Sequence, residues 1–149
     1  MNGLTYSALL PVGLLCGSEL TSRLIVHPAL WRLPYDAQVK AEKALYRRFG
    51  SIDPFLMTAT VVVSFAAAAD ETGTAQVLIL SAAGCFTAML ALTLILNMPI
   101  NLKVFRWDED QGDRDRWRQL RRRWDRIHSM RVLLDSTGFA LIAAAIVWR

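Results

Sequence analysis

Apolar residues gather in four stretches, at about residues 4–28, 54–69, 75–98 and 129–148. Two other stretches mix apolar and charged residues at helical spacing. Val39, Leu45, Tyr46 and Phe49 recur among charges in 36–49, and Trp117, Leu120, Trp124 and Ile127 recur among arginines in 114–128. The first pattern predicts membrane-spanning helices and the second predicts amphipathic helices lying at the interface. A helix rises about 1.5 Å per residue, so about 20 residues cross the hydrocarbon. The first and third stretches are long enough. The second is short and has to thin the bilayer or borrow a turn from its flank. Asp53-Pro54 reads as its start, with Asp as N-cap and Pro at the first helical position. Short links between neighbours make the expected fold all-α: one integral membrane antiparallel four-helix bundle over residues 1–149, with two interfacial amphipathic helices.

Charge fixes the expected orientation. Residues 29–53 hold Arg32, Lys40, Lys43, Arg47 and Arg48, and residues 99–128 hold Lys103 and eight arginines. The link between the second and third stretches holds Asp70 and Glu71 and no basic residue. By the positive-inside rule, both basic loops are cytoplasmic and both termini lie outside. Trp31, Trp107 and Trp148 fall near the expected interfaces, as an aromatic belt would. "DEDQGDRD" at 108–115 reads as a solvated turn.

Composition agrees. Hydrophobic residues make up 54% of the chain and charged residues 20%, segregated from one another. The net charge of +4 does not imply nucleic acid, because the basic residues flank apolar spans. No basic n-region opens the chain, and Glu19 and Arg23 interrupt its first apolar stretch, so a cleavable signal is not expected. Cys16 and Cys85 form neither a disulfide framework nor a metal motif and read as packing residues.

The ionisable residues inside the spans follow a pattern. Each costs at least roughly 2.5–3.5 kcal/mol on insertion scales, so it is expected to face the bundle interior. Glu19, Arg23 and His27 are four apart; His128, Arg131 and Asp135 fall at i, i+3 and i+7; Asn97 and Asn101 share a face and flank Pro99. Each set makes one stripe. All three lie at similar depth and predict one polar pocket at the cytoplasmic side. Pro99 would end or bend the third helix so that both asparagines converge on His128 and Arg131. A bland reading exists for each: Glu19 pairing with Arg23 or Arg131, Asp135 with Arg131, the histidines simply wet, Asn97 a helix cap. Glu19, His27 and His128 are weak metal candidates, lacking HxxxH or ExxH spacing. A haem is neither required nor excluded, and no phosphate loop, GxSxG or Cys–His nucleophile pattern is present.

"NMPIN" at 97–101, Trp117, "LRRRW" at 120–124, His128 and Arg131 resemble the anthrone oxygenase-like family of small four-helix membrane proteins, and "HPAL" at 27–30 also fits. The resemblance implies a setting in a bacterial inner membrane and an oxidoreductase or monooxygenase acting on a lipophilic aromatic or quinone-like compound, with O₂ as co-substrate and a metal or no cofactor at all. An anthrone would lose a proton from C10, with His128 as general base and Glu19 as the second candidate. Arg131 or the Asn97 and Asn101 amides would stabilise the enolate. Trp124 and Trp117 would wall a flat substrate, and Arg121 would meet a substrate phenolate or a lipid phosphate. The run 121–123 also reads as a lipid-facing patch. Arg23, His27 and Asp135 complete the candidate binding set. The competing reading is a non-catalytic small membrane subunit of a larger complex, binding lipid, quinone or cofactor; Ala66–Ala69 and Ala143–Ala145 allow close packing with partners or with copies of itself, as a homo-oligomer. A transporter is disfavoured by four helices without a repeat. The two main readings part on whether the polar residues line a cavity or only satisfy one another.

Overall fold

The computed structural model describes residues 3–108 and 112–148. They form four long helices: α1 (Gly3–Leu30), α2 (Tyr35–Ala69), α3 (Gly73–Phe105) and α4 (Arg114–Val147). All four are long and apolar enough to cross a membrane. Each packs against its sequence neighbours, and α1 closes the ring on α4. The result is the expected all-α antiparallel four-helix bundle. The basic segments share one end of it, and the Asp70–Thr72 link lies at the other. There Thr5 donates to Glu71 at 2.9 Å, and Gly73 opens α3 at φ +62°, a conformation open to a residue without Cβ.

The amphipathic segments do not lie apart as interfacial helices. Residues 36–49 and 114–128 run without a break into the spans, so α2 has 35 residues and α4 has 34. At about 1.5 Å per residue each exceeds 50 Å, well beyond the hydrocarbon. Asp53-Pro54 therefore starts no helix; Pro54 sits inside α2. An interior proline costs about 3 kcal/mol. Burial of Gln38, Val39, Glu42 and Tyr46 against the other helices offsets that cost and keeps the extension coaxial with the span. Asp113 caps α4, its carboxylate accepting from the N–H groups of Asp115 and Arg116. Of "DEDQGDRD", positions 109–111 lie outside the described residues.

Two helices carry a π turn. In α1 it is Ser22–Val26, followed by His27-Pro28; in α3 it is Thr93–Asn97, followed by Met98-Pro99. A proline ring collides with the carbonyl four residues earlier, and the wider turn makes room for it. Pro99 thus ends nothing: α3 continues to Phe105.

The core is layered. Farthest from the basic end, Ala67, Ala68, Ala75, Ile79 and Ala145 pack together. Next come Val12, Ala82, Phe86 and Ile142, where a Cβ on Gly138 would lie 2.6 Å from the Phe86 ring. Leu15, Met57 and Met89 form a third layer. At the basic end Val39, Tyr46, Ile100, Val104, Trp117, Trp124 and Ile127 form a larger aromatic cluster. Buried polar residues lie between the third layer and this cluster, and others, Gln38, Glu42 and Arg121, are set among its aromatic rings.

Candidate functional site

A cavity of about 340 Å³ opens between the four helices at that level. α1 contributes Glu19 and His27, α2 Tyr46 and Asp53, α3 Asn101, and α4 Trp124, His128 and Arg131. The stripe spacings explain the convergence. Residues four apart return to one helix face, and two antiparallel stripes meet when both faces turn inward.

Glu19 is the centre of the first cluster. It is 3% exposed, and Arg131 donates to its Oε1. Its Oε2 lies 3.3 Å from Nδ1 of His128, close but not aligned as a hydrogen bond. Both nitrogens of His128 are enclosed without a hydrogen-bond partner. The His128 ring stacks on Trp124 at 4.6 Å and meets the His27 ring at 5.4 Å. Trp124 donates through its indole N–H to Asn101 at 2.8 Å.

The second cluster surrounds Arg121, which is fully buried. Its Nε lies 3.0 Å from a Glu42 carboxylate oxygen, and it donates to the Tyr46 hydroxyl. Its Nη2 lies 3.1 Å from His27 Nδ1 and 3.7 Å from Asp125. Asp125 also accepts from the Trp31 indole at 2.7 Å. Beside it, Trp117 donates to Gln38 at 3.1 Å. These contacts cross the bundle from α4 to α2 and fill its centre at the basic end.

The expected site residues divide accordingly. Glu19, His27, Asn101, Trp124, His128 and Arg131 line the cavity. Arg121 does not: it is locked in the second cluster, while Arg122 and Arg123 are exposed. The run read as a lipid-facing patch is therefore split by burial. Arg23 donates to Ser129 at 2.8 Å, off the cavity. Asn97 and Asp135 are fully buried, and neither side chain has a hydrogen-bond partner. Asn97 faces inward. Asn101 meets Trp124, and Phe86 meets Gly138, so the antiparallel register sets Asn97 level with His128. Among the described residues, no three His, Cys, Asp or Glu side chains gather as a metal site. Glu42, Tyr46 and Asp53 are not among the expected site residues: 36–49 reads as an interfacial helix with Tyr46 on its apolar side, and Asp53 reads as a helix cap. For Glu42 and Tyr46 the signal is the same one used elsewhere: Gln38, Glu42 and Tyr46 are four apart.

The anthrone oxygenase family model matches residues 43–141. No curated protein and no solved structure matches the chain. The match covers most of α2, all of α3 and most of α4, and so includes Tyr46, Asn101, Trp124, His128 and Arg131. By that match over most of its length, this chain belongs to the anthrone oxygenase family.

Proposed function

We propose that this protein is a membrane oxidoreductase of the anthrone oxygenase type, taking a lipophilic planar phenol into the 340 Å³ cavity beside His128. The observation that carries the reading is the unpartnered His128 imidazole facing that cavity, with a carboxylate at its Nδ1. Volumes of roughly 300–1,000 Å³ hold small organic ligands. Buried polar atoms without partners are rare in folded proteins, and a ligand supplies what they lack. Family membership alone points to an oxygenase-like role, and the substrate is argued from the site.

Glu19 favours the proton on His128 Nδ1, which leaves Nε2 as the base. That nitrogen takes the C10 proton of the anthrone, and the electron pair moves onto the ring-ketone oxygen as a phenolate-like enolate. The electron-rich carbon then reacts with O₂. One oxygen atom becomes the new carbonyl of the anthraquinone, and the other leaves as water with the two C10 hydrogens. Glu19 therefore acts as partner of the base rather than as a rival to it. Arg131 holds Glu19 in place. Trp124 offers a flat wall, while Trp117 is buried in the aromatic cluster. The positive-inside argument sets the cavity on the cytoplasmic side, with membrane lipid as the partner of the exposed apolar faces.

The test is anthrone oxidation by the purified protein in mild detergent, followed by O₂ consumption and quinone absorbance. The expected result is one quinone per O₂, with turnover lost in His128→Gln. A protein that binds quinone but consumes no O₂ would return the chain to the role of a ligand-binding membrane subunit.

A further inference from the structure

The two histidines of this chain are its full complement, and they stand side by side in the cavity wall. Their Nδ1 atoms face opposite charges. His128 Nδ1 lies 3.3 Å from Glu19, and His27 Nδ1 lies 3.1 Å from the Arg121 guanidinium. A guanidinium has five N–H donors and no acceptor, and it keeps its charge in proteins. Nδ1 of His27 must therefore accept. It cannot carry a proton while Arg121 points at it, so the ring is neutral with its proton on Nε2. At His128 the partner is an acceptor instead: Glu19 favours a proton on Nδ1, so Nε2 is the nitrogen left to act as the base.

Resting on the oxygenase reading above, we infer that His27 is the hydrogen-bond donor to the substrate oxygen on which charge develops, with Arg121 as its positioning residue. The pair then divides the chemistry. His128 removes the proton at carbon, and His27 Nε2–H meets the oxygen that receives the electron pair. A neutral imidazole is a good donor here. Fixed in place, it stabilises the oxyanion without reorganising.

The surroundings of His27 support a fixed tautomer. Arg121, Arg131 and His128 face it from α4, and Arg23 shares its helix. Asp125, the nearest carboxylate, is 4.0 Å from Nδ1, beyond hydrogen-bond range, and its other oxygen is held by Trp31. From α2, Tyr46 and Glu42 take the remaining contacts of Arg121 and hold it in position. The His27 ring itself rests on Trp124 at 4.4 Å. The π turn ending at Val26 delivers this residue, because it lets His27-Pro28 continue the helix with the imidazole turned inward.

The test begins with nitrogen NMR of histidine-labelled protein in detergent. Two imidazoles give two sets of signals, assigned with His128→Gln. The expected spectrum has His27 protonated on Nε2 and unchanged from about pH 5 to 8, the range in which a free imidazole titrates. A His27 protonated on Nδ1, or titrating in that range, overturns the proposal whatever the activity. Next, His27→Ala should lower turnover by about 10²–10³-fold, the usual loss for one oxyanion donor. His27→Gln, which keeps an N–H donor, should recover part of it. Equal activity in His27→Ala and wild type overturns the donor role. A dihydroxyanthraquinone serves as the binding probe, its visible band shifting when its oxygen accepts from Nε2–H. Loss of that shift in His27→Ala supports the assignment. A protein with the expected tautomer and band shift but no anthrone oxidation would keep the assignment and overturn the oxygenase reading.

Discussion

Two buried arginines, ten residues apart on α4, sit in opposite kinds of surroundings. Arg121 is packed between Glu42, Tyr46, His27 and Asp125, with no exposed surface. Arg131 pairs with Glu19 on the wall of a cavity, beside a histidine with two unpartnered nitrogens. The first arrangement neutralises a guanidinium with two carboxylates and ties α4 to α2 and α1. The second leaves polar atoms waiting. Intramembrane charges are costly in either place. The difference is one of enclosure: Arg121 is closed in by partners from three helices, whereas Arg131 and its partner Glu19 border open space. The same residue type on one helix is fully partnered in one layer and cavity-lining in the next.

The comparison breaks most sharply at the open cluster. His128→Gln should reduce anthrone turnover by about 10²–10⁴-fold, the usual contribution of a general base, and leave the melting temperature nearly unchanged. Thermal unfolding and O₂ consumption on one sample check both halves. If the variant unfolds instead, the open cluster is glue as well.

At the closed cluster the expectation reverses. Arg121→Met leaves Glu42 buried without a counter-charge and should cost about 3–5 kcal/mol of stability, the usual penalty for breaking a buried pair. Replacing Glu42 by Leu in the same protein should restore most of it, because the isolated charge is gone. Detergent-solubilised unfolding measures both. Arg131→Met should cost less, about 1–3 kcal/mol, since Glu19 keeps His128 as neighbour and the cavity admits water. It should also lower activity, as Glu19 is freed to turn away from His128.

A third change tests a layer that holds no charge. Gly138 lies against Phe86, and a Cβ there would meet the ring at 2.6 Å. Gly138→Ala should destabilise the bundle by about 1–3 kcal/mol through overpacking. Turnover per folded molecule should stay at the wild-type value, because Leu15, Met57 and Met89 separate this layer from the cavity.

Much of this was legible in the chain itself. Segregated apolar runs predict four spans, and spacings of three, four and seven put Glu19, His27, His128 and Arg131 on inward faces. The misses share one cause. Amphipathic segments have the same period whether they rest on lipid or on protein, so 36–49 and 114–128 read as interfacial. What decides is the third partner, here α2 against α4, and no local pattern records it. The polar members of the α2 stripe, Gln38 and Glu42, were the clue that its polar side was also buried. Arg121 was misread for a related reason: three arginines in a row look alike, yet a helix turns each by about 100°, and only the first meets Glu42. Asp53-Pro54 looks like a helix start because local preference favours one; tertiary packing outweighed it.

The smallest effect falls on the residue shared by both clusters. Trp124 touches His128 and His27 with its ring faces, lies under the Arg121 guanidinium at 4.6 Å, and donates to Asn101. Trp124→Phe keeps an aromatic surface and removes the indole N–H. Asn101 lines the cavity, so water can replace that donor, and the net loss should be about 0.5–1.5 kcal/mol, that of one ordinary hydrogen bond. KM should rise a few-fold while kcat holds, because a flat wall binds substrate and transition state alike. Steady-state kinetics at varied anthrone concentration separates the two. A fall in kcat with KM unchanged would mean that Trp124 aims His128 rather than holding the substrate, and the wall would belong to the catalytic cluster.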